Sequence, residues 1–284
     1  MNGLFIREQL SEMNISYETV DEIQSKDGIY VYRIKSGEKS YVIKYFEKEE
    51  YRREINNYLI LRRLDIPTIP LIAYTGRSIL MPDIEQNEKY RFGVPEDMND
   101  AEICTQLACW YRSLHEKGKT YAKICGNNMY METDCITAKN ITFIKDKTQT
   151  EDNQVWTIIE QNLPHLYSII EKIEKTLTYN DFYYTNMVVA KDKSEAFMFD
   201  YNLLGKGYAV SDIKNVTWGL GECAKRAFLD AYGMCSQDEI LLHEVAGPLI
   251  TLYSASCRDV FPQWGHKELE LVKNGYLLEC VKKL

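Results

Sequence analysis

Short runs of β-branched and aromatic residues, separated by polar turns, dominate the first part of the chain. Two such runs cover residues 29–34 and 40–46, and the turn-forming tripeptide Ser36-Gly37-Glu38 separates them. Runs of this length and composition predict β-strands, and the short turn between them predicts a β-hairpin. Two more strands are predicted over residues 71–74 and 78–81.

Between these two pairs of strands, the apolar residues follow the spacing of a helix. Within residues 49–64, Ile55, Tyr58 and Leu59 lie at positions i, i+3 and i+4. This spacing predicts an amphipathic helix that ends before Pro67.

Residues 82–100 are polar and show no period, so we expect a surface connector there. Beyond it, helical spacing predominates. One predicted helix is capped by Asn99 or Asp100 and ends near Gly118, and another covers residues 155–177. Apolar clusters in the last third of the chain predict further helices, at residues 216–232, 239–253 and 268–279.

Composition places the chain among globular proteins. It has 284 residues, of which 45% are hydrophobic and 27% are charged, as in a folded protein of one large domain or two smaller ones. The net charge of −8 has the wrong sign for a protein that coats a nucleic-acid backbone, so no nucleic-acid partner is expected. The eight cysteines include no C-x-x-C pair, so we expect reduced, mostly structural thiols.

The beginning of the chain differs from a signal peptide. Arg7, Glu8 and Glu12 interrupt the apolar stretch that such a peptide needs. No run of about 18 apolar residues occurs elsewhere in the sequence. We therefore expect a cytoplasmic protein without a membrane partner.

The segment that follows residue 180 combines a predicted hairpin with three oxygen-bearing side chains. Two short apolar strands, 187–190 and 196–201, are joined by a polar turn. Asp181 and Asn186 precede the first strand, and Asp200 lies at the end of the second. The hairpin would bring these side chains to one end, and carboxylate and amide oxygens are ligands that Mg²⁺ prefers.

The pattern Asp181-x-x-x-x-Asn186, followed by Asp200 on a strand, resembles the catalytic segment of the protein-kinase-like phosphotransferases. The nearest resemblance is to the aminoglycoside phosphotransferase and choline kinase superfamily. Protein kinases have H-R-D and D-F-G at these stations and A-P-E further on, whereas this chain has Tyr179-Asn180-Asp181, Asp200-Tyr201-Asn202 and no A-P-E. The small-molecule kinases commonly have a histidine where this chain has Tyr179.

Other motifs occur in the order that this resemblance implies. Lys44 ends the apolar stretch Tyr41-Val42-Ile43, like the V-A-I-K lysine that binds the ATP phosphates. Glu54, on the following helix, would pair with that lysine. The strand that ends in Met81 resembles the hinge that binds adenine. Gly28 would belong to the loop that covers the phosphates, where the chain has a single glycine instead of G-x-G-x-x-G.

The resemblance covers roughly residues 20–235. It includes a helix that ends in His115, which we interpret as a structural residue. It also includes Ala227–Gly233, which is similar to an F-x-x-x-Y-G stretch of the superfamily. Asp212 matches an aspartate that braces the catalytic loop in the superfamily; the alternative is a simple helix N-cap.

The resemblance implies an α+β, protein-kinase-like fold of two lobes. Residues 1–84 would form the nucleotide-binding lobe, a small antiparallel sheet with one helix. Residues 85–284 would form a larger, mainly helical lobe for catalysis and substrate binding. ATP and Mg²⁺ would be the cofactors, with Asn186 and Asp200 as the metal ligands. Asp181 would accept or orient the proton of the acceptor hydroxyl during in-line transfer of the γ-phosphoryl group.

The identity of the acceptor stays open. We expect a hydroxylated small molecule, and the negative net charge favours a cationic one. An aminoglycoside antibiotic is the first hypothesis, and choline, another amino alcohol or an amino sugar is the alternative. A second alternative is a non-catalytic, pseudokinase-like binding or coat protein. Either a monomer or a homodimer is expected.

Overall fold

A computed structural model of the chain describes residues 4–283. Within this range the β-strands are β1 (Thr19–Lys26), β2 (Ile29–Ser36), β3 (Lys39–Phe46), β4 (Ala73–Tyr74), β5 (Ser78–Pro82), β6 (Tyr90–Phe92), β7 (Thr176–Thr178), β8 (Met187–Ala190), β9 (Ala196–Met198) and β10 (Gly205–Gly207).

The α-helices within the same range are α1 (Leu4–Glu12), α2 (Arg53–Arg63), α3 (Ala101–Cys125), α4 (Ala138–Thr148), α5 (Gln154–Lys172), α6 (Ala209–Gly219), α7 (Glu222–Tyr232), α8 (Gln237–Ser256), α9 (Gln263–Lys273) and α10 (Tyr276–Val281). None of these helices, over residues 4–283, has the length and apolar character needed to cross a lipid bilayer.

The first five strands form one antiparallel sheet in the order β1-β2-β3-β5-β4. The predicted hairpin is confirmed, because β2 and β3 pair from Ile29↔Phe46 to Ser36↔Lys39. Strand β5 pairs along the other edge of β3, which places β3 inside the sheet. The sequence prediction lacked β1, since nearly all of its residues are exposed and it has no apolar face to reveal it.

Helix α1 covers one face of this sheet. Its Ile6 and Leu10 are buried in an apolar cluster that includes Ile43 and Tyr45 of β3. Side chains alternate between the two faces of a strand, so Lys44, which lies between these two residues, points to the opposite face. Helix α1 therefore packs on the apolar face of the sheet, and Lys44 lies on the face that α1 does not cover.

A second antiparallel sheet has the order β6-β8-β9. Strands β8 and β9 form the hairpin predicted after residue 186, although β9 ends at Met198 instead of Tyr201. The expectation of a surface connector over residues 82–100 was wrong in part, since Tyr90–Phe92 pairs with β8 in the sheet. A strand of three residues is too short to show a period, and its partner lies far along the chain.

Two helix ends differ from the prediction. Helix α3 continues to Cys125 instead of ending near Gly118. A Cβ at position 118 would lie 2.8 Å from atoms of Leu177. This glycine therefore lies inside the helix, where it lets α3 pack closely against β7, and does not terminate the helix. Helix α5 ends at Lys172, and Leu177 belongs to β7, which pairs with β10.

The last third of the described chain is helical, as predicted, and consists of α6 to α10 after the short strand β10. A large apolar cluster joins most of these helices to the middle of the chain and is built around Trp156 of α5, Leu249 and Leu252 of α8, and Val272 of α9. The sequence prediction lacked α4, whose Ile141 and Ile144 are buried in the same cluster. The early antiparallel sheet and the later helices confirm the predicted α+β class.

The density of contacts divides the chain into two compact units. The first takes the described residues up to Lys117, with Asp181–Leu204 and Val216–Gly233. The second takes Gly118–Asn180, Gly205–Asn215 and the described residues from 234 onward. All the predicted catalytic, nucleotide and metal residues belong to the first unit. The lobe boundary at residue 84 stays a prediction.

Candidate functional site

Lys44 is a buried cation on the inner strand β3. Lys44 is 8% exposed. The Nζ atom lies 2.7 Å from Oε2 of Glu54 on α2 and 2.9 Å from Oδ1 of Asp200. A lysine that loses its water must be paired with anions, and here two carboxylates on different elements supply the pairing. Residues far apart in the sequence, at 44, 54 and 200, thus form one charged cluster.

The charge of Lys44 is held firmly in this cluster. Burial by itself lowers the pKa of a lysine, but the negative charges of Glu54 and Asp200 outweigh it and raise the pKa of Lys44 above its ordinary value. The side chain therefore stays an ammonium at neutral pH. A fixed cation with hydrogen atoms to donate is suited to bind an anion such as a phosphate group.

The hairpin of β8 and β9 brings Asn186 and Asp200 to one end, as predicted. Asn186 comes directly before β8, and its carbonyl oxygen accepts a hydrogen bond of 2.9 Å from the backbone N–H of Phe199, the residue directly after β9. Asp200 follows with a φ of 61°. This left-handed conformation is uncommon for a residue other than glycine. It costs free energy, so it persists only where neighbouring groups enforce it.

Asp181 lies beside Asn186 in the same unit. The Nδ2 atom of Asn186 donates to the backbone carbonyl of Asp181 at 3.2 Å and to its Oδ2 at 3.3 Å. Burial, assisted by the charge of Asp200, raises the pKa of Asp181 to about 6, against the opposing influence of Lys44. The amide of Asn186 fixes this carboxylate in place.

The oxygen atoms of this cluster could hold a divalent cation. Asp200 uses Oδ1 for Lys44, and its side chain is 36% exposed. Asn186 uses its amide nitrogen to bind Asp181, so its amide oxygen can serve as a ligand of the cation. One carboxylate and one amide, completed by phosphate and water oxygens, are a donor set that fits Mg²⁺.

Of the two other predicted nucleotide residues, Met81 lies in the same sheet as Lys44 and Gly28 lies in a turn of that sheet. Met81 is on β5, where it pairs with Val42 of β3 and is buried. Gly28 and Asp27 form the two-residue turn between β1 and β2, with φ of 89° and 54°. A turn with positive φ at both positions explains a glycine here by hairpin geometry alone. The part of these two residues in nucleotide binding stays a prediction.

Asp212 is hydrogen-bonded to the backbone directly before Asp181. In the second unit, its Oδ2 accepts from the N–H of Tyr179 at 2.7 Å, and its Oδ1 accepts from the N–H of Asn180 at 2.9 Å. Asn180 has a φ of 65°, which these bonds help to hold. The carboxylate therefore braces this loop, as the resemblance implied. Tyr179 itself is fully buried.

His115 is structural in its contacts, as predicted. It is buried in the first unit, and its Nδ1 is 2.8 Å from the hydroxyl oxygen of Tyr232. Tyr232 stacks in turn on Phe228 of the same helix α7, with ring planes 1° apart. These residues tie α3 to the F-x-x-x-Y-G stretch.

One residue of the site escaped the sequence analysis. Asn57 on α2 is buried, and its Nδ2 donates to the carbonyl oxygen of Tyr201 at 2.7 Å. The available signal was a polar residue three positions after Glu54, on the face of α2 that also carries Tyr58. Periodicity could have singled it out, because a polar residue on a buried helix face needs a partner.

Comparisons with known proteins give matches by structure only. No family model and no curated protein matches the sequence. The choline kinase LicA from Streptococcus pneumoniae matches with a TM-score of 0.62 and 12% identity, over 99% of this chain and 98% of that one. The macrolide 2′-phosphotransferase MphH from Brachybacterium faecium matches with a TM-score of 0.60 and 12% identity, over 93% and 96%.

A spectinomycin phosphotransferase with bound AMP matches with a TM-score of 0.60 and 14% identity, over 94% of each chain. These alignments extend over nearly the whole length on both sides, so the likeness concerns the complete fold and not one motif. The chain therefore has the protein-kinase-like fold of these choline kinase and antibiotic phosphotransferase structures.

Proposed function

We propose that this protein is an ATP-dependent kinase that transfers the γ-phosphoryl group to a hydroxyl of a small, cationic acceptor. The observation that carries the proposal is the cluster in which Lys44 contacts both Glu54 and Asp200, with Asp181 held by Asn186 in the same unit. Phosphoryl transfer needs a fixed cation for phosphate oxygens, oxygen ligands for a metal and a base for the hydroxyl. The cluster contains a candidate for each of these roles.

In this proposal Asp181 is the catalytic residue. Its carboxylate accepts or orients the proton of the acceptor hydroxyl, and the amide of Asn186 keeps the carboxylate in position. Lys44 donates hydrogen bonds to phosphate oxygens, while Glu54 holds its ammonium in place. Most of the rate enhancement then comes from positioning and from charge neutralisation.

Asp200 and Asn186 would hold magnesium, since their free oxygen atoms suit that ion. The metal would neutralise charge on the phosphates of ATP. Nucleotide binding at Met81 and Gly28 is part of the same proposal, with residues 1–84 as the nucleotide-binding lobe. The AMP bound to a spectinomycin phosphotransferase of the same fold supports a nucleotide as one substrate.

For the acceptor we favour an aminoglycoside. The net charge of −8 attracts cations, and one protein of similar fold is named as a spectinomycin phosphotransferase. Choline or a related amino alcohol is the second candidate. The choline kinase match, which extends over almost the whole of both chains, supports it.

The test is ADP release from Mg-ATP across a panel of aminoglycosides, choline, ethanolamine and amino sugars. Asp181→Ala serves as the blank. Asp192→Ala serves as the matched control, because Asp192 is an exposed aspartate in the turn between β8 and β9. We expect one class of acceptor to stimulate ADP release with the wild type and the control but not with the blank. Stimulation that persists in Asp181→Ala would contradict the proposed role of Asp181.

A further inference from the structure

Helix α2 makes a second polar contact with the segment that carries Asp200, one turn after Glu54. Asn57 is 5% exposed, and its Nδ2 donates a hydrogen bond of 2.7 Å to the backbone carbonyl of Tyr201. A buried amide of this kind is costly unless it is bonded. The contact is therefore part of what fixes the position of α2 against the segment that begins at Asp200.

The residue that Asn57 holds is fixed on its side chain as well. Tyr201 is fully buried, its ring packs edge-on against Tyr58 with centroids 4.8 Å apart, and its hydroxyl donates to the carbonyl of Met198. The ring, the hydroxyl and the carbonyl of Tyr201 are thus all engaged. The backbone directly after Asp200 has little freedom to rotate.

This restraint matters because Asp200 has a strained backbone. Its φ of 61° lies in the left-handed region, which a residue other than glycine keeps only when its surroundings enforce it. If the following residue were released, Asp200 could return to an ordinary conformation. Its carboxylate would then leave the position 2.9 Å from Lys44.

Glu54 and Asn57 lie three positions apart and therefore share one face of α2. Glu54 holds Lys44, and Asn57 holds the segment of Asp200. We propose that Asn57 is a positioning residue, which fixes the strained backbone at Asp200 so that the carboxylate is set for the metal-bound nucleotide. The metal-binding consequence rests on the proposed function, whereas the restraint on the backbone does not.

The experiment compares the wild type with Asn57→Leu, Asn57→Asp and Asn56→Leu. Leucine keeps the branching of the side chain but leaves the carbonyl of Tyr201 without its donor, and aspartate keeps the shape but removes the amide donor. Asn56 is the neighbouring asparagine on the exposed face of α2 and is the matched control. Two quantities are measured for each protein: amide hydrogen exchange over residues 197–204, and ADP affinity with and without Mg²⁺.

We expect faster exchange over residues 197–204 in both Asn57 variants and wild-type exchange in Asn56→Leu. The gain in ADP affinity on adding Mg²⁺ should fall about fivefold to tenfold in the Asn57 variants, because they lose one buried hydrogen bond. Their affinity for ADP without Mg²⁺ should stay at the wild-type value. A melting temperature for each protein identifies any variant that fails to fold, and the Asn57 variant that folds then decides the outcome.

Unchanged exchange over residues 197–204 in a folded Asn57 variant would overturn the inference. So would an equal loss of ADP affinity with and without Mg²⁺, which would indicate a general structural role. A wild type that does not bind ADP would contradict the proposed function and the metal-binding part of the inference. The exchange measurement would still decide whether Asn57 restrains the backbone at Asp200.

Discussion

The ammonium of Lys44 lies 2.7 Å from the carboxylate of Glu54, and both residues are buried. Strand β3 and helix α2 thus contribute one partner each to a buried ion pair in the first unit of the protein. Since an unpaired buried charge is strongly unfavourable, each partner depends on the other. The pair also turns Lys44 into a fixed cation, and this property decides the first prediction.

Replacement of Lys44 should abolish the activity. We expect Lys44→Met to lower kcat/KM for ATP by at least about a hundredfold, the effect of removing one group that stabilises charge in a transition state. Steady-state kinetics measure the change. Lys39→Met is the control, because Lys39 is an exposed lysine at the start of the same strand. Equal losses in both variants would mean that the strand matters and the buried ammonium does not.

Replacement of Asp181 should separate binding from turnover. We expect Asp181→Asn to lower kcat by about 10² to 10⁴, the contribution typical of a positioned base. ATP affinity should stay close to the wild-type value, because Asp181 contacts Asn186 and is not the partner of Lys44. Calorimetry and initial rates on the same preparation test this split. A variant that turns over as fast as the wild type would remove Asp181 from the mechanism.

Asp212 should matter for stability before it matters for chemistry. Asp212 is 1% exposed, and its carboxylate accepts hydrogen bonds from the backbone N–H groups of Tyr179 and Asn180. In Asp212→Asn, an amide N–H₂ would face one of these N–H groups. Hydrogen bonds to a charged group contribute about 1.5–3 kcal/mol, so we expect the free energy of unfolding to fall by about 2–3 kcal/mol. Urea denaturation measures it, and an unchanged midpoint would show that the brace is dispensable.

Glu132 should make the stability depend on pH. Burial, with the charge of Asp212 nearby, raises the pKa of Glu132 to about 8 in the folded chain, from the ordinary value of 4.5. Between these two values the folded state binds more protons than the unfolded state, so this residue lowers the stability as the pH rises from 4.5 to 8.

Glu132→Gln removes this titration and keeps the shape. We therefore expect its melting temperature to exceed that of the wild type by a growing margin as the pH rises from 5 to 8. The exposed neighbour Asp134, changed to Asn, is the control. A margin that does not vary with pH would show that Glu132 has an ordinary pKa in the folded protein.

The elements with long, regular patterns were predictable from the sequence. The hairpin of β2 and β3 and helix α2 have enough apolar residues at fixed spacing to be recognised locally. Strand β6 has no such signal, because only its pairing with β8 makes it a strand. The prediction that α3 ends near Gly118 was wrong for a related reason. The glycine is needed for close packing against Leu177, which only the fold brings near.

The residues of the candidate site that belong to sequence motifs were predictable. The order of Lys44, Glu54, Asp181, Asn186 and Asp200 resembles that of a known superfamily, and their types suit phosphate and Mg²⁺. The position of Asn57 on the buried face of α2 had a signal in periodicity, but its partner, the carbonyl of Tyr201, and the strained backbone at Asp200 were not predictable. Both depend on contacts between α2 and the segment after β9, and no local pattern encodes a contact between residues so far apart.

The binding of ATP to the wild type and to Asp200→Asn, measured by calorimetry with and without Mg²⁺, tests the proposed metal–nucleotide site. No acceptor needs to be known for it. We expect Mg²⁺ to tighten ATP binding to the wild type and to have little effect on Asp200→Asn, which loses the proposed metal ligand. A wild type that does not bind ATP in the presence of Mg²⁺ would rule out the proposed kinase function and favour a non-catalytic protein with a kinase-like fold.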